Sequence, residues 1–154
     1  MIALLLALVL TGVTFQRPAD VVKWSAAPVT PSVQAGGTVL LSVTAQIQKG
    51  WKLYAISQPE GGPKPLTIDL APGAPFAISM KQIVAPQART MDDEYFGLKT
   101  RYYDGDATFR VPLTTGRSVK GRTEIPLEIT FQACGNGICL RPFTEKISVE
   151  VTVR

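Results

Sequence analysis

The sequence predicts an all-β protein built as an antiparallel β-sandwich, and three observations indicate this class. The 13 glycines and 12 prolines are spread along the chain, as in proteins whose many short strands are joined by turns. Several segments between them place apolar side chains at every second position, which is the pattern of a half-buried strand. No segment after residue 16 has a convincing helical period. A chain of 154 residues suits one domain of this kind.

The first half of the predicted domain contains one long strand followed by shorter ones. Residues 39–47 alternate so that one face of the strand is clearly apolar. A turn is predicted at 49–50, and a loop at 58–65 because that segment contains three prolines and two glycines. The shorter strands are predicted at 51–54, 66–70 and 76–84.

The second half ends in the two clearest strands of the chain. Residues 86–99 have no apolar period, and no strand is predicted there. Residues 102–113 are strand-like but are interrupted at 104–105 by an Asp-Gly pair, which signals a turn or a bulge. A basic turn is predicted at 116–121. The last two strands, which alternate strictly, are predicted at 124–133 and 146–154.

The N-terminus is predicted to be a targeting segment at 1–16, so that the folded domain spans 17–154. Residues 2–13 form an apolar run with the length of a signal-peptide core, too short for an ordinary membrane span. No basic residue precedes the run and no clear cleavage site follows it, so an uncleaved membrane anchor is the alternative to a signal peptide. Either route predicts export to a compartment where a cysteine pair can be oxidised.

Composition excludes several classes of function. The chain has no histidine, so Ser-His-Asp and Cys-His catalysis are excluded within it. Two cysteines cannot complete a four-ligand zinc site, and we expect no metal and no cofactor. The net charge is +4, but the 16 basic residues are scattered. Nucleic-acid binding would require a basic patch together with a recognition element, and we expect no nucleic-acid partner.

The two cysteines flank a predicted hairpin. The Asn-Gly pair at 136–137 is the strongest short signal for a two-residue type I′ turn. In that register Gly135 faces Ile138, and Cys134 faces Cys139 as a non-hydrogen-bonded pair. Such pairs have Cα atoms about 4.5 Å apart, at the short end of the roughly 4.4–6.8 Å that a disulfide accepts. The sequence therefore predicts that the two sulfurs can bond without moving the backbone.

Position and loop size favour a redox role for this pair. Cys134 is in phase with Thr130 and Gln132 on the polar face, whereas a structural cysteine more often follows the core. Closing so short a loop stabilises a fold by only about 2 kcal/mol on the chain-entropy estimate, and such a bond is easily reduced. The residues alone leave one alternative, a non-catalytic exported β-sandwich that binds a partner and uses the disulfide as a structural staple.

Three separated motifs occur in an order that is typical of one known family. Cys134-x4-Cys139 is followed by Leu-Arg-Pro at 140–142, Asp-Glu-Tyr-Phe-Gly occupies 93–97, and Gly-Trp-Lys-Leu-Tyr occupies 50–54. They resemble the active-site hairpin, the cap loop and the aromatic-rich strand of the N-terminal domain of the DsbD thiol–disulfide interchange family. The resemblance extends over about residues 21–153. The chain departs from the best-known members in having four rather than five residues between the cysteines. It also has Lys52 where an aromatic residue is familiar and Tyr95 where phenylalanine is familiar.

The resemblance implies an immunoglobulin-like sandwich that transfers electrons in the periplasm by dithiol–disulfide exchange. It implies that Cys139 forms the mixed disulfide with a partner and that Cys134 resolves it. It also implies that Tyr95, with Phe96 beside it, covers the sulfurs as a hydrophobic lid. The other implied site residues are Asp93, Glu94 and Gly97 of the cap loop and Tyr54 lining the site. Acidic side chains near the sulfurs would disfavour the thiolate and slow unproductive oxidation.

The resemblance also implies the partners. The acceptors would be thioredoxin-like periplasmic proteins, such as a disulfide isomerase or a cytochrome c maturation protein. The donor would be membrane-embedded and on a separate chain. The domain would then act as a component of a protein-disulfide reductase.

On the residues alone, Asp93 and Glu94 could equally belong to a solvated loop, while Trp51 and Tyr54 could pack in the core.

Overall fold

The structure is a computed structural model that describes residues 15–154. Nearly all of the predicted targeting segment at 1–16 therefore lies outside the described residues. Within the described residues, no helix has the length and apolar character needed to span a bilayer.

Strands are the main regular structure of residues 15–154. The other regular elements there are a one-turn helix α1 at Pro18–Val21 and a 3-10 turn at Met80–Gln82. The strands are β1 (Val22–Pro28), β2 (Ser32–Val33), β3 (Thr38–Ile47), β4 (Trp51–Tyr54), β5 (Thr67–Leu70), β6 (Phe76–Ile78), β7 (Arg89–Asp93), β8 (Leu98–Tyr103), β9 (Asp106–Thr115), β10 (Gly121–Phe131), β11 (Ala133–Gly135), β12 (Ile138–Cys139) and β13 (Phe143–Val153).

Two four-stranded sheets enclose the core. One has the order β1-β3-β9-β6 and the other the order β2-β13-β10-β5. All their pairings are antiparallel except that of β2 with β13. The Trp24 ring of β1 packs against Phe109 of β9 and against Phe131 of β10, with centroids 6.1 and 5.7 Å apart, and so joins the sheets. This architecture confirms the predicted all-β antiparallel sandwich.

A third sheet, with the order β12-β11-β4-β8-β7, carries the cysteines. The chain passes from β10 to strand β11 of this sheet at Gln132, a residue that belongs to neither strand. The Gln132 carbonyl accepts a hydrogen bond from the Tyr54 amide at 3.1 Å. Its side chain donates to the Leu140 carbonyl at 3.1 Å and accepts from the Lys64 amide at 2.9 Å. Gln132 thus holds the base of the cysteine hairpin.

The long alternating strands were predicted correctly, whereas the predictions for residues 76–84 and 86–99 were wrong. The segment 76–84 is not one strand, because β6 ends at Ile78 and a 3-10 turn follows before Val84 bridges to Arg110 of β9. The predicted interruption at 104–105 is confirmed as the turn between β8 and β9, which lie in different sheets. Residues 86–99 include β7, which pairs with β8 although its sequence has no apolar period.

Candidate functional site

The cysteine hairpin has the predicted register. Cys134 pairs with Cys139, and Gly135 pairs with Ile138. The two turn residues at 136–137 have φ values of 50° and 78°, as a type I′ turn requires. The Cα atoms of the cysteines are 4.1 Å apart, and their sulfurs are bonded to each other. The local sequence therefore places both sulfurs at one point on the sheet edge.

Gly135 allows the hairpin to lie directly on β4. It pairs with Trp51 in the third sheet. A Cβ atom at Gly135 would lie 2.5 Å from the Gly50 carbonyl oxygen and 2.8 Å from the Trp51 Cα, so no larger residue fits without displacing backbone. Sequence reasoning missed this role, because nothing in the sequence shows which backbone approaches the glycine.

The two cysteines differ in exposure. Cys134 is only 3% exposed, whereas Cys139, on the edge strand β12, is partly exposed. This burial does not place Cys134 in the core. Ala133 belongs to the hydrophobic core, whereas Cys134 lies on the opposite face beside Lys52, as the alternation through Thr130 and Gln132 predicted. On that face Cys134 is covered more completely than Cys139. A partner protein can therefore reach the sulfur of Cys139 more readily than that of Cys134.

The predicted cap loop is the tip of the β7–β8 hairpin. Asp93 ends β7, and its backbone carbonyl accepts a hydrogen bond from the Gly97 amide at 2.8 Å. The Asp93 side chain accepts from the Tyr95 amide at 3.0 Å and so holds the turn from both sides. Tyr95 is 53% exposed. Phe96 packs edge-on against the ring of Tyr54, with centroids 5.7 Å apart.

A buried hydrogen-bond network lies between this cap hairpin and the disulfide. The Tyr54 hydroxyl donates to the Asp93 carboxylate at 2.6 Å, and the buried Thr100 hydroxyl donates to the same oxygen at 3.0 Å. The Tyr54 oxygen also lies 3.9 Å from Cys139 Sγ. Asp93 and Tyr54 are thus brought to the cysteines, although these two residues are 39 positions apart in the sequence. Thr100 belongs to the site as well, and the sequence carried no signal for it.

The same network determines the protonation state of Tyr54. Burial raises the pKa of this hydroxyl far above its ordinary value, and the hydrogen bond to Asp93 raises it further. Tyr54 therefore stays protonated, and its one proton points at Asp93. Toward Cys139 it presents an oxygen lone pair, which can accept a hydrogen bond from a thiol.

A cavity of about 220 Å³ separates the cap hairpin from the cysteine hairpin. It is lined by Gly50, Lys52, Met91, Asp92, Asp93, Glu94, Tyr95, Cys134, Gly135, Asn136 and Gly137. Glu94 is exposed, whereas Asp93 is 4% exposed, so only Glu94 fits the alternative of a solvated loop. Between residues 15 and 154, no group of three or more cysteine or carboxylate side chains could hold a metal ion.

Comparison with known protein families identifies the family of this chain. The family model described as "Thiol:disulfide interchange protein DsbD, N-terminal" matches residues 19–151. The chain belongs to the DsbD N-terminal domain family. A search of curated protein sequences finds no match.

Two solved structures show the same fold as this DsbD-family domain. The reduced DsbD N-terminal domain of Neisseria meningitidis has 17% identity and a TM-score of 0.60, with 89% of this chain and 90% of that chain covered. The N-terminal periplasmic domain of ScsB from Proteus mirabilis has 20% identity and a TM-score of 0.56, with 90% and 49% covered. At these identities the likeness concerns the fold, which is the immunoglobulin-like sandwich that the sequence predicted. Together with the bonded cysteines, family membership supports a thiol–disulfide exchange module.

Proposed function

We propose that the chain passes reducing equivalents to thioredoxin-like partner proteins in the periplasm through the Cys134/Cys139 pair, and that it receives them from a membrane-embedded donor on another chain. One observation carries this proposal. The disulfide joins paired residues of a short edge hairpin, with Cys139 partly exposed and Cys134 buried. A pair that reacts with a partner needs one reachable sulfur and one protected sulfur, which this arrangement provides.

The exchange proceeds in two displacements. In the reduced domain, the Cys139 thiolate attacks a partner disulfide, one partner sulfur leaves, and a mixed disulfide forms. Cys134 then attacks Cys139 Sγ, the second partner sulfur leaves, and the Cys134–Cys139 bond forms. Two electrons pass to the partner, and the two protons lost by the cysteines equal the two gained by the partner's thiols. Reduction by the donor is the reverse sequence.

The buried network favours the thiol form of Cys139 before a partner arrives. A Cys139 S–H can donate to the Tyr54 oxygen, whose own proton is donated to Asp93. A thiolate at the same place would face a lone pair and a nearby carboxylate, which is unfavourable. Because the thiolate is the nucleophile, the resting dithiol should react slowly with small oxidants. Partner docking would then change this environment and start the exchange.

We also propose that the cap hairpin shields the sulfurs. Tyr95 and Cys134 line the same cavity, and Phe96 covers Tyr54, the residue closest to Cys139 in the network. On this basis Tyr95 and Phe96 act at different points. Tyr95 limits access to the cavity beside Cys134, whereas Phe96 covers the hydroxyl network.

The proposed domain limits are 17–154, with residues 1–16 as a signal peptide or an anchor. Burial begins close to this boundary, since Val21 at the end of α1 is buried and residues 15–17 are exposed. Mass spectrometry of the exported protein tests the proposal. A mature N-terminus near residue 17 supports cleavage, an intact leader in the membrane fraction supports an anchor, and a cytoplasmic product contradicts export.

The reduction potential of the Cys134–Cys139 pair, read by thiol trapping in glutathione buffers, tests the exchange function. A potential of about −120 to −270 mV, with the fold intact in both states, is expected for an exchange protein. A potential below about −300 mV, or unfolding on reduction, would contradict the proposal. The disulfide would then be a staple, and the chain would be a non-catalytic binding module.

Trapping tests which cysteine attacks. A Cys134→Ser domain, with Cys139 as its one thiol, should accumulate a mixed disulfide with an oxidised thioredoxin-fold protein. The matched Cys139→Ser domain should accumulate several-fold less, because Cys134 is buried. Equal trapping by the two variants, or more by Cys139→Ser, would overturn the assignment.

A further inference from the structure

Lys52 is the cross-strand neighbour of the buried cysteine. In the third sheet, Cys134 of β11 pairs with Lys52 of β4. Side chains of directly paired residues leave the same face of an antiparallel sheet, with Cβ atoms about 4.5–5.5 Å apart. Both residues also line the cavity beneath the cap hairpin. The side chain of Lys52 therefore begins next to that of Cys134 and shares its cavity.

The other charged groups that line this cavity are acidic. The charged and titratable groups facing Cys134 are Lys52 from β4, Asp92, Asp93, Glu94 and Tyr95 from the cap hairpin, and Cys139 from β12. Asp92 is already paired with Lys99 at 2.9 Å. Among the described residues that line the cavity, Lys52 is the only positively charged one. It is therefore the group that can offset the carboxylates around Cys134.

Two observations describe the state of the Lys52 charge. The Lys52 ammonium is 5.4 Å from the centroid of the Tyr102 ring on β8, a cation–π contact on the same face of the sheet as Cys134, although β8 flanks β4 on the side opposite to β11. None of the ion pairs found among residues 15–154 includes Lys52. Its charge is therefore not neutralised by a bonded carboxylate and remains available to a neighbouring anion.

We propose that Lys52 promotes the resolving step of exchange by favouring the thiolate of Cys134. This inference rests on the exchange function proposed above. In that step the Cys134 thiol gives its proton to solvent, and the thiolate attacks Cys139 Sγ in the mixed disulfide. The bond from Cys139 to the partner sulfur breaks, the partner sulfur leaves with the electron pair, and the Cys134–Cys139 bond forms.

Cys134 needs such help because its surroundings oppose the thiolate. Burial disfavours the charged form of a thiol, as do nearby carboxylates such as Asp93 and Glu94. An opposite charge within several ångströms acts in the other direction, although solvent screens a partly exposed ammonium. We therefore expect loss of the Lys52 charge to slow resolution by roughly three- to tenfold near neutral pH.

Stopped-flow reaction of the reduced domain with 4,4′-dithiodipyridine measures this step directly. This disulfide is uncharged, so Lys52 cannot attract it electrostatically. One thiopyridone is released when Cys139 attacks, and a second when Cys134 resolves the mixed disulfide. The second phase should be absent in Cys134→Ser, which assigns it. Lys52→Met should slow the second phase by roughly three- to tenfold and change the first phase less.

Two variants control for effects other than charge at this position. Lys52→Arg keeps the positive charge and should restore most of the second-phase rate. Lys49→Met makes the same change of net charge at an exposed residue of the β3–β4 turn that does not line the cavity, and it should leave both phases unchanged. Circular dichroism of all variants confirms that the fold is retained.

The possible outcomes separate this inference from the proposed function. A second phase that Lys52→Met leaves unchanged, or that Lys49→Met slows equally, would overturn the role of Lys52 while the exchange function stands. A pair whose potential lies in the staple range would overturn the exchange function itself. Equal slowing of both phases by Lys52→Met would also contradict the inference, because the charge would then not act specifically on Cys134.

Discussion

Tyr54→Phe should destabilise the oxidised domain by about 2 kcal/mol at pH 7. The substitution keeps the ring, so its packing against Phe96 is unchanged and no cavity forms. It removes a 2.6 Å hydrogen bond to Asp93, whose carboxylate is only 4% exposed. A hydrogen bond to a charged group contributes about 1.5–3 kcal/mol. Thr100 and the Tyr95 amide still donate to Asp93, which limits the loss.

Urea unfolding followed by tryptophan fluorescence measures this change. The midpoint should fall while the slope m stays the same, because the surface exposed on unfolding is unaltered. Tyr102→Phe is the matched control, since Tyr102 pairs with Tyr54 across β4 and β8 but lies near the surface. It should change stability by less than about 0.5 kcal/mol. A similarly small loss in Tyr54→Phe would refute the importance of the buried network.

The same pair of proteins has a predicted pH dependence. Burial and the hydrogen bond to Asp93 raise the pKa of Tyr54 in the folded state, while its unfolded pKa is about 10. The contribution of the Tyr54 hydroxyl to the free energy of unfolding is therefore complete below about pH 10. It is lost as the pH rises further, because only the unfolded tyrosine then ionises. The difference between wild type and Tyr54→Phe should shrink between about pH 10 and pH 11. A constant difference would contradict the raised pKa. Tyr103, whose pKa burial also raises, is common to both proteins and cancels.

Two further predictions test the cap and the hairpin. Tyr95→Ala should speed alkylation of the reduced cysteines by iodoacetamide several-fold, with little loss of stability because Tyr95 is 53% exposed; an unchanged rate would count against a lid. Gly135→Ala should lower the free energy of unfolding, measured in urea, by about 1–3 kcal/mol, because its Cβ would meet the backbone at 2.5 Å. A Gly135→Ala domain as stable as wild type would show that the hairpin need not lie so close to β4.

Local sequence determined the strands and the disulfide register. The period-two alternation at 39–47 and in the last two strands follows from one face of each strand being buried, so β3, β10 and β13 could be predicted directly. The Asn-Gly turn requires two positive φ values, and that requirement alone places Cys134 opposite Cys139. Both features depend on residues close together in the chain.

Tertiary structure alone decided the burial of Cys134 and the composition of its surroundings. Alternation correctly placed Cys134 on the face away from the core, but it does not show that other segments cover that face. Strand β7 shows no apolar period, yet its pairing with β8 carries Asp93 to Tyr54, a contact between residues 39 apart. No local pattern encodes such a contact, because it depends on how the third sheet closes over the cysteines. For the same reason Cys134 and Cys139 could be predicted as site residues from the sequence, whereas Thr100 and Lys52 were placed beside them only by the structure.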